Sequence, residues 1–156
     1  MEIERKWLVS DWPKTLPLIR VQHMEQGYLS RRPTVRIRLE KDDHEESYIL
    51  CVKSSGRLSR EEIEVAMTKE QFEGMKRVIG KPLIAKCRRS YALPDGHVLE
   101  VNCVEENFWY AEVEFETEAE AEAFDPGKTA LSGYFQKEVT GIRGWSMGEY
   151  WEKTRF

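Results

Sequence analysis

The sequence predicts a β-rich α+β fold built mainly from antiparallel strands, on three observations. Short segments of alternating polar and apolar residues recur at regular spacing along most of the chain, as half-buried strands do. Turn-forming clusters separate these segments. Helical periodicity is confined to a few short stretches, too few to supply the crossovers of a parallel βαβ sheet.

Taken in order, eight segments read as strands: Glu2–Ser10, His23–Ser30, Val35–Glu40, Ser47–Lys53, Arg60–Ala66, Ile84–Ala92, His97–Val104 and Trp109–Glu116. Arg32-Pro33, Lys41-Asp42-Asp43, Ser54-Ser55-Gly56 and Pro94-Asp95-Gly96 fall between them, where Gly, Pro and Asp supply turn dihedrals. A capping box of Thr68 and Gln71 opens a helix through Phe72, Met75 and Ile79, with Gly80 at its C-terminal cap. Thr117 and Glu120 open a shorter Ala/Glu helix that ends near Asp125-Pro126-Gly127. A third helix is predicted from about Ser146 to Lys153.

A chain of 156 residues with no repeat, linker or composition break fits one domain, residues 1–156. Its 24 Lys and Arg against 28 Asp and Glu give a net charge of −4, which sets generic nucleic-acid binding aside. An anion site must therefore come from local arrangement. Cys51, Cys87 and Cys103 are odd in number and lack CxxC spacing, so they read as reduced residues of a cytoplasmic protein. No signal peptide or membrane span is legible.

Strand side chains alternate between faces, so residues two apart share one. Glu2, Glu4 and Lys6 share a face; so do Arg36 and Arg38, Glu62 and Glu64, Lys86 and Arg88, and Glu112 and Glu114. Lys53 closes the fourth strand. One reading is an antiparallel sheet with one wet face. The other is a barrel with its charged face inward and an apolar outside covered by helices. The segregation of Lys and Arg from Glu adds weight to the second, but alternation alone leaves the wet-face sheet ahead. Such a lining suits a metal-bound polyphosphate, because cations bond phosphate oxygens and carboxylates hold Mg²⁺ or Mn²⁺.

Glu2-x-Glu4-x-Lys6 resembles the ExExK signature of the CYTH superfamily, the triphosphate tunnel metalloenzymes. Gln26-Gly27-Tyr28-Leu29, Arg36-x-Arg38, Lys53, Arg60-x-Glu62-x-Glu64, Lys86-x-Arg88, Ala111-Glu112-Val113-Glu114 and Lys137-Glu138-Val139-Thr140 follow in the family's order. The resemblance implies an eight-stranded antiparallel β-barrel forming a charged tunnel, with a few peripheral helices. It also implies hydrolysis of inorganic tripolyphosphate with Mg²⁺ or Mn²⁺, as in short bacterial-type inorganic triphosphatases. Carried over by position, Lys6, Arg36, Arg38, Lys53, Lys86 and Arg88 would bind triphosphate, and Glu2, Glu4, Glu62, Glu64, Glu112 and Glu114 would hold metal. Glu4, Lys6 and Lys86 are the catalytic candidates.

Two departures stand out. Asn102 replaces an Asp usual in such members, and an amide cannot supply a carboxylate's charge, so a contact to a neighbouring side chain is expected there. After Val139-Thr140 the chain runs Gly141-Ile142-Arg143-Gly144-Trp145 in place of Asp-Pro-Arg, which leaves the closure of the tunnel and the role of Arg143 open. The alternatives within the enzyme class are nucleoside or thiamine triphosphate hydrolysis and class IV adenylate cyclisation. A non-catalytic polyphosphate- or RNA-end-binding module is the alternative outside it. His23, His44 and His97 lack metal spacing, Trp109 and Tyr110 read as barrel packing, and Trp145 and Trp151 as anchors of the last helix. The expected partner is a small triphosphate, with no membrane, and a homodimer through the outer sheet is a further expectation.

Overall fold

A computed structural model of the chain describes residues 1–129, 131 and 133–156. The strands are β1 (Glu2–Leu8), β2 (Leu18–Arg31), β3 (Thr34–Lys41), β4 (Glu46–Lys53), β5 (Ser59–Arg60), β6 (Glu62–Ala66), β7 (Ile84–Ala92), β8 (Val98–Val104), β9 (Phe108–Glu114) and β10 (Lys137–Glu138). The helices are α1 (Lys69–Ile79), α2 (Glu118–Ala123) and α3 (Met147–Arg155).

Every neighbouring pair of strands is antiparallel, and the sheet order is β10-β1-β9-β8-β7-β2-β3-β4-β6. Segment 59–66 nearly closes the barrel: β6 pairs with β4, while β5 pairs Arg60 with Glu2 and Ser59 with Ile3 of β1. All eight expected strands are present. The fifth breaks at Glu61 into β5 and β6, the second runs longer at both ends, and β10 adds a two-residue edge beside β1. That long second strand spans its neighbours β3 and β7 along most of its length, which ties two walls of the barrel together.

The apolar faces point outward and are covered over much of the barrel, while Ile63 and Val65 of β6 stay exposed. Ile3, Trp7, Leu99, Val101, Ala111 and Val113 form an outer core under α2 and the chain that follows it. There Trp7 packs 5.7 Å from Phe124 and 5.1 Å from Phe135, ring to ring. Arg5, on the same outer face, donates to Ala121 O and Phe124 O at 2.8 and 2.7 Å, which satisfies carbonyls at the end of α2. On the other side Phe72 of α1 and Trp151 of α3 join Ile37, Leu83 and Ile84 in a second core. Gly27 makes room for α3: a Cβ there would meet Leu83 Cδ2 at 2.5 Å and Trp151 at 3.3 Å.

The caps fall where the sequence places them. Thr68 and Gln71 form the reciprocal box of α1, and Gly80 takes the left-handed conformation at φ 66°. Thr117 and Ser146 accept from Glu120 N and Glu149 N at the starts of α2 and α3.

Candidate active-site tunnel

With the apolar faces outward, the barrel interior is left to the charged ones. A cavity of about 850 Å³ runs inside it. All twelve residues singled out in the sequence line this cavity: Glu2, Glu4 and Lys6 from β1, Arg36 and Arg38 from β3, Lys53 from β4, Glu62 and Glu64 from β6, Lys86 and Arg88 from β7, and Glu112 and Glu114 from β9. Register explains the convergence. Glu4 pairs with Glu114, Lys6 with Glu112, and Lys53 with Glu62 across neighbouring strands, so their side chains leave the sheet on one face.

The cations divide into two groups. Lys53 Nζ lies 3.0 Å from Glu2 Oε1 and 3.1 Å from Glu62 Oε2, and Arg60 Nε lies 3.2 Å from Glu2. Arg38 pairs with Glu40 at 3.0 Å, and Arg88 with Glu100 at 3.4 Å. By contrast, Lys6, Lys86 and Arg36 pair with no carboxylate among the described residues. Lys6 Nζ donates to Trp145 O at 2.6 Å and sits 4.1 Å from the Tyr110 ring centroid. Lys86 Nζ donates to Tyr110 Oη at 2.9 Å, and the buried Arg36 Nε has no partner.

Electrostatics follow this division. Burial, and then the charges of Arg88, Arg38 and Arg36, push Lys86 well below the ordinary lysine value. Lys6 is lowered by burial against the pull of Glu112 and Glu4. Among the acids, burial raises Glu4 well above the usual carboxylate range, reinforced by Glu112 and Glu2. Burial also works against ionised Glu112, but Lys6 and Arg88 overcome it and hold that carboxyl at about 2.

The donor set suits a hard divalent cation. Burial raises both Glu2 and Glu4, and Glu4 further through the charges of Glu112 and Glu2, a penalty that a bound cation would relieve. Glu62 and Glu64 also bring carboxylate oxygens within 4.8 Å of one another and of Cys51 Sγ.

Several residues inside the tunnel carry no role in the sequence reading: Tyr28, Arg60, Glu100 and Tyr110. Tyr110 packs in the second core as expected and also lines the cavity, while Trp109 packs outward against Trp12. Its signal was its place two residues before Glu112, on the same face. Asn102 behaves as expected of an amide, accepting from Arg88 Nε at 2.9 Å. Trp151 anchors α3, but Trp145 lines the tunnel and its carbonyl holds Lys6. Arg143 lines the cavity as part of the same C-terminal segment, so Gly141 to Trp145 forms part of the tunnel wall.

No family model matches the chain. The inorganic triphosphatase of Nitrosomonas europaea is 34% identical over 142 residues, covering 89% of each protein. The chain belongs to the triphosphate tunnel metalloenzymes. The crystal structure of the inorganic triphosphatase NE1496 aligns over 96% of this chain and 93% of that one, with a TM-score of 0.63 and 28% identity. The PH1819 protein of Pyrococcus horikoshii OT3 shares the fold over 99% of this chain and 100% of its own, with a TM-score of 0.72 and 20% identity.

Proposed function

We propose that this tunnel enzyme hydrolyses inorganic tripolyphosphate with a divalent metal ion, Mg²⁺ or Mn²⁺. The observation that carries the reading is the divided lining. Lys6, Lys86 and Arg36 line the cavity with no carboxylate at ion-pair distance among the described residues, while Glu2, Glu4, Glu62 and Glu112 line the same cavity beside them. An anion-binding module would gain nothing from six acidic side chains in its own binding site. The 34% identical inorganic triphosphatase supports the choice of substrate.

In this reading Lys6, Lys86, Arg36, Arg38 and Arg88 grip the phosphate oxygens by charge-assisted hydrogen bonds. Lys53 is held by Glu2 and Glu62 and would join them at the phosphate where a cation took up those carboxylates. Glu2, Glu4, Glu62, Glu64, Glu112 and Glu114 would hold the metal, directly or through water. When bound, the ion neutralises charge on the phosphate oxygens and makes a coordinated water more acidic. Lys6 and Lys86 stabilise the charge that develops on the departing phosphate. Among the carboxylates that could take the proton of the attacking water, Glu112 at about 2 is a weak base.

No helix is long and apolar enough to cross a membrane. We place the enzyme in the cytoplasm, where three free thiols and a polyanion substrate are at home.

The test is orthophosphate release from tripolyphosphate, ATP and thiamine triphosphate in Mg²⁺, Mn²⁺ or EDTA, for wild type and Glu4→Gln. Metal-dependent release that favours tripolyphosphate and falls at least about 10–100-fold in the variant is expected. Tight tripolyphosphate binding with no turnover of any substrate would instead make the chain a binding module.

A further inference from the structure

Tyr110 stands where the two carboxylate-free lysines of the tunnel meet. Its side chain is 1% exposed and lines the cavity. Its Oη accepts from Lys86 Nζ at 2.9 Å, and its ring lies 4.1 Å from Lys6 Nζ. A phenol carries one O–H donor as well as its acceptor lone pairs. Lys86 uses the acceptor side. The donor side has no acceptor among the described residues. Buried donors are nearly always paired, because an unpaired one costs about 1–3 kcal/mol. An unspent donor in this place therefore points at whatever enters the tunnel.

Its surroundings restrict what that is. Lys6 and Lys86 both approach the phenol, so a cationic or donor-only group is excluded beside it. What remains is an anion rich in acceptors, such as a phosphate chain. We propose that Tyr110 is a substrate-binding residue whose O–H donates to an oxygen of the triphosphate held between Lys6 and Lys86.

This inference rests on the triphosphatase reading and deepens it. The bond from Lys86 into Oη polarises the phenol and makes its O–H a stronger donor. The ring face steadies the Lys6 ammonium without neutralising it. One neutral side chain thus positions two cations and leaves their charge for the substrate. Tyr28 differs. It also lines the cavity, but its Oη accepts from Gln26 Nε2 at 3.1 Å and meets no lysine ammonium.

The experiment compares wild type, Tyr110→Phe and a protein carrying 3-fluorotyrosine at position 110. The fluorinated ring is nearly the size of tyrosine and is a stronger donor. Tripolyphosphate binding is measured calorimetrically in EDTA, and KM and kcat in Mg²⁺. Loss of one hydrogen bond to a charged group should weaken binding by Tyr110→Phe about tenfold, with KM moving more than kcat. The fluorotyrosine protein should bind at least as tightly as wild type. If Tyr110→Phe binds like wild type, or if both replacements weaken binding equally, the inference is overturned and the ring only packs. If wild type itself binds no tripolyphosphate, the triphosphatase reading fails first.

Discussion

At the scale of single residues, the tunnel's chemistry depends on which charges have partners. Lys53 and Arg60 converge on Glu2, so their charge is largely spent inside the protein. Lys86 is spent on nothing negative. Replacing Lys86 by Met should therefore raise KM for tripolyphosphate about 10–100-fold, since a charge-assisted bond is worth about 1.5–3 kcal/mol. Steady-state kinetics in Mg²⁺ would show it, and an unchanged KM would remove Lys86 from the grip. The acids make a prediction about pH. Glu4 is raised, so in the metal-free protein it stays protonated above the ordinary carboxylate value, and its contribution to stability is lost as pH rises through its raised value. Bound metal requires the carboxylate instead, so metal binding should release a proton and tighten as pH rises. Calorimetric titration of Mg²⁺ in buffers of differing ionisation enthalpy measures that proton; enthalpies independent of buffer would count against Glu4 as a ligand. These residues were legible early because charge alternation survives in one sequence. Tyr110 is harder to read from one sequence, because an aromatic in a strand packs equally well on either face, and only its register with Glu112 distinguishes them.

At the scale of elements, α3 is held by a latch that the sequence did not reveal. Arg155 donates to Glu105 Oε1 and Oε2 at 2.9 Å each, and to Pro82 O and Leu83 O at 3.0 and 3.1 Å. Tyr150 adds a bond to Glu105 at 2.7 Å. The partners lie 45 to 73 positions apart along the chain, which is why local patterning is silent about them. Glu105 and Glu106 occupy the β8–β9 turn at φ 48° and 61°, a left-handed conformation that costs an ordinary residue about 1–2 kcal/mol. Glu105 gives the latch in return, whereas Glu106 is exposed. Glu106→Gly should then stabilise the protein by up to about 1 kcal/mol, after the greater flexibility of glycine in the unfolded chain is subtracted. Arg155→Ala should destabilise it by about 1–3 kcal/mol, or several degrees in a melt of a chain this size. Equal melting temperatures for both variants would contradict the latch. The capping boxes, in contrast, were legible because each lies within four residues of sequence.

At the scale of the whole molecule, the barrel turns the usual polarity of a globular protein inside out. Helices and the C-terminal chain cover much of an apolar barrel exterior, and the paired strand charges line the interior, where opposite signs sit in one 850 Å³ space. Net charge of −4 hides this completely. What the sequence showed was the pair of faces on each strand; which face was inside depended on closure, and closure depends on Ser59 and Arg60 reaching β1. A divided lining makes two separable demands: cations hold the phosphate chain, and carboxylates with metal permit its cleavage. The direct measurement is a ³¹P NMR series on one sample of wild-type protein with tripolyphosphate, first in EDTA and then with excess Mg²⁺. The account predicts broadened or shifted tripolyphosphate resonances in EDTA with no new signals, then pyrophosphate and orthophosphate once Mg²⁺ is present. Tripolyphosphate that persists after Mg²⁺ is added, with no pyrophosphate or orthophosphate signal, would contradict it.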